Sequence, residues 1–254
     1  MIDVISLFPN LNQALIDLLK SLKPDDWNKQ TVSNNFTVKD IVANLLATSI
    51  KRLSIVRDGH SFLQDSQFST EEKLLSFLNE LNSDWTNAMK RVSTEVLIEM
   101  MEKYQDELLI YFKALNPFDI AREYMEAWLH QQQIRFAMNN QKLLSREFYH
   151  PFLQTVMQEL PLTYEEIKAA VGSTVKVEIV GPAGGVWTII KGKNSWNFLK
   201  EEIITPDSLV YIDQQIAWLL FSKGVDIMDA AQYYQLHGDR DLGSHALKMT
   251  LFNA

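Results

Sequence analysis

The stretch EAWLHQQQIR, residues 126–135, sets a carboxylate and an imidazole four residues apart. Residues i and i+4 of an α-helix lie one above the other, so Glu126 and His130 can reach into the same space. A carboxylate oxygen and an imidazole nitrogen are both ligands for zinc or nickel. Two ligands are not a site. A third must come from a neighbouring helix, as in bundles that build metal sites from inward-facing side chains. On spacing alone, the pair reads first as a solvated or hydrogen-bonded helix face. Trp128, Ile134 and Phe136 supply packing beside it, and Gln131, Gln132 and Gln133 add a polar run. Arg135 is expected to face solvent.

Composition narrows the chemistry. The 254 residues carry a net charge of −8 and 46% hydrophobic residues, which gives a globular chain with a real core. An acidic surface argues against nucleic acid as a partner, because phosphate binding needs clustered Lys and Arg. Small molecules or other proteins are the expected partners, and the sequence leaves the oligomeric state open. There is no cysteine. That removes disulfides, zinc thiolates and a Cys nucleophile, so any sulfur chemistry needs a thiol supplied as cosubstrate. The start, MIDVISLFPN, has no basic n-region, and EVLIEMMEKYQDELLIYF is too interrupted by charge to span a bilayer. A cytoplasmic protein is expected.

The elements that must hold Glu126 and His130 read as helices over the first 160 residues or so. Leu7, Leu11, Leu15, Leu18 and Leu22 form one stripe, ended by Pro24. A second long helix has Thr37 as its cap and Gly59 as its stop. A third opens with Ser69 and Glu72 at capping-box spacing, and a fourth follows Ser93. The helix holding EAWLH comes after NPFD. The longest irregular piece runs from Asp58 to Ser69, the kind of loop that often lines a site. Near Pro161 the period changes from helical to alternating. STVKVEIVG, VWTIIKG, SWNFLKE and SLVYID read as strands, punctuated by Gly and Pro. Helices are expected again in DQQIAWLLFSKG, DIMDAAQYYQL and RDLGSHALKMTLF. Trp187, Trp196 and Trp218 are expected in the core. The expected fold is α+β in two domains: an antiparallel four-helix bundle over residues 1–147, then a smaller α+β domain with an antiparallel sheet over residues 148–254.

Several pieces, in this order, carry a family resemblance: LFPNLNQALIDLLKSLKPDDWNKQTVSNNFTVKDIVANLL, RLSIVRDG, EAWLHQQQIR, HPFLQTVMQELPLTY, GPAGGVWTI and GDRDLG. Together they resemble the DinB-like superfamily, in its mycothiol-dependent maleylpyruvate isomerase branch. The C-terminal pieces resemble that branch's sterol-carrier-like domain. The resemblance implies a divalent metal, a low-molecular-weight thiol and an isomerase or transferase activity. It implies three metal ligands. Two fall on Glu126 and His130. The third, a histidine in the family, falls on Asn44 in DIVANLL, and an amide oxygen is a harder, weaker donor than imidazole. Many members also carry an aspartate where this chain has Gln133. His60 lies sixteen residues beyond Asn44, on the order of 24 Å along a continuous helix, too far to replace it. His150, His237 and His245 lie in other segments. The degenerate triad leaves an alternative: a non-catalytic small-molecule-binding or regulatory protein on the same scaffold. In GDRDLG, Arg240 is the candidate anion-binding catalytic residue, against the plainer reading of Asp239 or Asp241 as a helix cap.

Overall fold

The computed structural model describes residues 4–33, 36–60, 68, 70–112, 115–201 and 203–251. The chain divides into two compact units, residues 1–140 and 141–254.

Among the described residues, the first unit holds five α-helices: α1 (Phe8–Ser21), α2 (Val38–Val56), α3 (Glu71–Met89), α4 (Thr94–Phe112) and α5 (Pro117–Ala137). Local chemistry sets their starts. Thr37 caps α2 by accepting from the Asp40 amide at 3.3 Å, while the Asp40 carboxylate reaches back to the Thr37 amide at 2.9 Å. Beyond α2, Gly59 adopts φ +66°, and the Ile55 and Ser54 carbonyls accept from Gly59 and His60. The cap of α3 is Thr70, bonded to the Lys73 amide. The expected Ser69 cap lies outside the described residues, as does most of the loop that follows Asp58.

Four of the helices form the bundle, in the ring order α1, α4, α2, α5, and α3 packs on the outside against α2. Their directions follow from the cross-links. Lys20 pairs with Glu102 and Phe8 packs on Phe112, so α1 and α4 run opposite ways. Gln131 donates to the Leu11 carbonyl and Arg135 to that of Ala14, so α1 and α5 run the same way. Lys39 reaches the Val92 carbonyl just before α4, and Arg57 pairs with Glu107 late in it, so α2 and α4 are parallel. Lys29, ahead of α2, reaches Met138 just past the end of α5, and Arg52 pairs with Glu123 near its start. Hence α2 and α5 are antiparallel. The extra helix α3 explains the two parallel contacts: it returns the chain, so α4 repeats the direction of α2. Leu15, Leu19, Ile41, Leu46, Met101 and Ile134 meet in the core, where burying each such side chain contributes roughly 1.5–3 kcal/mol.

The second unit is a sheet with helices on one face. The strands are β1 (Thr174–Val180), β2 (Gly185–Lys191), β3 (Trp196–Phe198), β4 (Ser208–Asp213) and β5 (Tyr234–Gly238), in spatial order β3-β2-β1-β4-β5. Three pairings are antiparallel. The β1–β4 pairing is parallel, with Val177 opposite Val210, so the sheet is mixed. Alternation places Val175, Val177, Ile179, Ile189, Val210 and Ile212 in the core. Helix α6 (Arg146–Val156) adds Tyr149 and Phe152, α7 (Leu160–Thr163) adds Leu160, and α8 (Gln214–Phe221) adds Trp218. The buried Tyr149 hydroxyl donates to the Gln214 carbonyl and accepts from the Trp218 amide. All three tryptophans expected in the core are buried.

One helix expected from the sequence is absent. DIMDAAQYYQL is not helical: a turn held by Asp226 leads through a 3-10 turn at Ala231–Tyr233 into β5. The edge of β4 decides this, because pairing Ile212 with Tyr234 and Val210 with Leu236 satisfies a ladder that a helix would leave open.

Candidate functional site

Helix α5 is anchored at both ends. Asn116 accepts from the Phe118 and Asp119 amides at 3.0 Å each, with Pro117 in the first turn. Asn139, at φ +53°, ends the helix in the left-handed conformation that asparagine tolerates. Between these ends the register against α2 can be followed. Arg52 meets Glu123, so at ~1.5 Å per residue the antiparallel packing sets Thr48 at the level of Ala127 and Asn44 at the level of Gln131, one residue past His130. Asn44, Thr48 and Arg52 on α2 therefore lie at the levels of Gln131, Ala127 and Glu123 on α5.

His130 is half-buried, with Nδ1 2.8 Å from the Glu126 carbonyl oxygen. A carbonyl only accepts, so Nδ1 carries the proton and Nε2 keeps its lone pair, the tautomer that a metal or a donor group would meet. The Glu126 carboxylate is half-buried and forms no ion pair among the described residues. It lines a cavity of ≈ 40 Å³ together with Asn12, Thr48, Ser49, Gln105 and Glu123, over a floor of Phe8, Leu108 and Phe112. Asn44 is half-buried, and its Oδ1 sits 3.4 Å from the Thr86 hydroxyl on α3.

Several functional groups here were missed by the sequence reading. Arg52 pairs with Glu123, which is buried. The signal was present: Arg52 lies four and eight residues beyond Thr48 and Asn44. Gln105 is 9% exposed, and its Oε1 has no hydrogen-bond partner among the described residues. Gln133, already singled out in the sequence, is 8% exposed, and its Oε1 has no partner among the described residues.

Arg135 corrects an expectation. It is 1% exposed, not solvated. Its guanidinium donates to the Ala14 carbonyl at 2.6 Å, to Gln131 Oε1 at 3.1 and 3.2 Å and to Asn140 Oδ1 at 3.0 Å. Burial lowers its pKa to about 10 against the opposing pull of Asp17, so it stays charged at neutral pH. The planar fork lets one buried cation satisfy three partners at once, which a solvated lysine could not do.

The remaining candidates belong to other elements. His60 follows α2 and is exposed. His150 bonds the Ala183 and Gly184 carbonyls within the second unit. Arg240 is the exposed first residue of α9 (Arg240–Ser244), and Asp239 caps that helix through the Leu242 amide. A trough of ≈ 470 Å³ in the second unit is lined by Asp207, Asp239, Asp241 and His245. Two of its carboxylates are committed to local structure. Asp239 is the cap, and bonds from the Thr174 amide and hydroxyl hold the Asp207 carboxyl below the usual carboxylate range.

The donor set can be tested against a zinc or nickel ion. A structural or catalytic zinc takes at least three strong protein ligands. Glu126 and His130 supply two, and Asn44 supplies an amide oxygen turned toward Thr86. No group of three His, Cys, Asp or Glu side chains able to hold a metal is found among the described residues. The residues present do not fit the metal. No helix is long and apolar enough to cross a membrane, again among the described residues.

No protein-family model and no curated protein matches the chain. Solved structures do. A mycothiol-dependent maleylpyruvate isomerase, crystallised as a histidine-to-alanine mutant, superposes with a TM-score of 0.55 at 8% identity, over 91% of this chain and 90% of that one. A second structure of a mycothiol-dependent maleylpyruvate isomerase gives 0.47 at 8% identity over 85% and 86%. The UbiJ-SCP2 ubiquinone synthesis protein gives 0.27 at 13% identity, over 39% of this chain and 96% of that one. Across both of its units, this chain has the α+β fold of mycothiol-dependent maleylpyruvate isomerase.

Proposed function

We propose that the chain is a small-molecule-binding protein on the maleylpyruvate isomerase fold, with its site in the helical-unit cavity and its ligand held without a transition metal. One observation carries the reading. Of the three positions at which the family resemblance implies metal ligands, one is Asn44, an amide beside the Thr86 hydroxyl. The cavity beside Glu126 still has polar walls and an apolar floor, the pairing typical of small-molecule sites. The test is purification in zinc-supplemented buffer, then metal analysis by plasma mass spectrometry. Zinc well below one equivalent per chain is expected, and one tightly held equivalent overturns the reading.

A second reading is a metal- and thiol-dependent isomerase or transferase. It is supported by the His130 tautomer, which leaves Nε2 able to donate to a metal. The same measurement decides between the two.

A further inference from the structure

Several polar groups around the bundle cavity have lone pairs left to offer. Glu123 is spent on Arg52, so these two charges cancel. Glu126 is left as the uncompensated charge, with no ion pair among the described residues. The Ser49 hydroxyl already donates to the Leu45 carbonyl at 3.1 Å and can only accept further. Gln105, more than nine-tenths buried, lines the cavity and has an Oε1 without a partner among the described residues. A buried acceptor left without a donor costs about 1–3 kcal/mol, so the occupant is expected to bring donors. Asn12 and Thr48 can act either way.

We propose that this cavity binds the ammonium group of a primary aliphatic amine. The inference rests on the reading of the cavity as the ligand site and adds the class of ligand. A primary ammonium carries one positive charge and three N–H donors, which match the Glu126 carboxylate, Gln105 Oε1 and Ser49 Oγ. Its alkyl chain meets Phe8, Leu108 and Phe112. An anion would face Glu126 with the Arg52 charge already taken. A hard metal ion would need six or more oxygens at fixed distances, and much of this wall is aromatic and aliphatic. A neutral apolar guest would leave Gln105 and Glu126 desolvated with no partner.

The test is titration calorimetry on the full chain with n-butylammonium chloride, sodium butyrate, n-butanol and magnesium chloride as probes. Saturable one-to-one binding is expected for butylammonium alone. Glu126→Gln, close to isosteric, is expected to weaken it by roughly tenfold or more, the worth of a charge-assisted hydrogen bond. Gln105→Leu is expected to weaken it by a smaller factor, and circular dichroism checks that both variants stay folded. Binding of butyrate, butanol or magnesium at equal or greater strength overturns the assignment. So does no butylammonium binding, or binding that Glu126→Gln leaves unchanged. These outcomes are separate from zinc uptake, which overturns the underlying reading by a different measurement.

Discussion

Replacing Arg135 with methionine is expected to destabilise the helical unit by about 3 kcal/mol, near the cost of removing one partner from a buried charged network. Methionine keeps much of the volume of the stem and removes every donor. The Ala14 carbonyl, Gln131 Oε1 and Asn140 Oδ1 then lose the guanidinium bonds they accept at 2.6–3.2 Å. Each buried acceptor left short costs roughly 1–3 kcal/mol, partly recovered if Gln131 or Asn140 turns toward another donor. The bonds to Ala14 and Gln131 also help fix α1 against α5, because Gln131 itself donates to the Leu11 carbonyl. In thermal unfolding followed at 222 nm, a loss of that size lowers the midpoint by about 6–12 °C. Arg135→Lys keeps the charge but not the fork and should recover only part of the loss. A change within about 0.5 kcal/mol, the range of an ordinary surface substitution, would mean that the guanidinium is solvated after all.

The second large effect lies in the other unit. A Cβ added at Gly184 would stand 1.8 Å from the Ile179 carbonyl oxygen and 2.8 Å from its carbon. Both are backbone atoms inside the β1–β2 hairpin, where Ile179 pairs with Gly185. No rotamer change can relieve that contact, so Gly184→Ala must bend the hairpin. The expected loss is about 4 kcal/mol or more, at the exceptional end for a single substitution. Gly172→Ala separates sterics from backbone angle. Gly172 has φ +95° with nothing within 4 Å of the added carbon, so it meets only the left-handed strain, about 1–2 kcal/mol. Urea unfolding of the two variants should rank them clearly. Equal losses would show that the close approach at Gly184 is relieved by a small shift.

What could be read from the sequence was whatever depends on neighbours along the chain. Thr37 as a helix cap, and the alternation of Val175, Val177 and Ile179, are local signals, and the structure keeps them. The strand β5 was not legible. Its residues look helical on their own, and only the open edge of β4 makes them a strand. Arg135 was misread for a related reason. Two of its acceptors are a main-chain carbonyl and a loop asparagine, and neither leaves a mark in the sequence. The run Gln131 to Gln133 looked like a wet face, yet all three are buried, because α5 packs against both α1 and α2. At the site, the amide at Asn44 was visible in the sequence. Its partner Thr86, on a helix outside the bundle, was not.

On the proposed reading the site is one histidine short of a metal centre: Glu126 and His130 share helix α5, and Asn44, about one residue from the level of His130 on α2, carries an amide. Zinc titration of the wild type and Asn44→His, by competition with a chelating dye, tests it most directly. The account predicts weak binding by the wild type. The variant should bind one zinc per chain, tighter by more than the roughly 10–100-fold that an outer-shell partner is worth. Equal affinities would contradict it, because position 44 would then not face the Glu126–His130 pair. Tight stoichiometric zinc in the wild type would contradict it too, because the site would be complete without a histidine there.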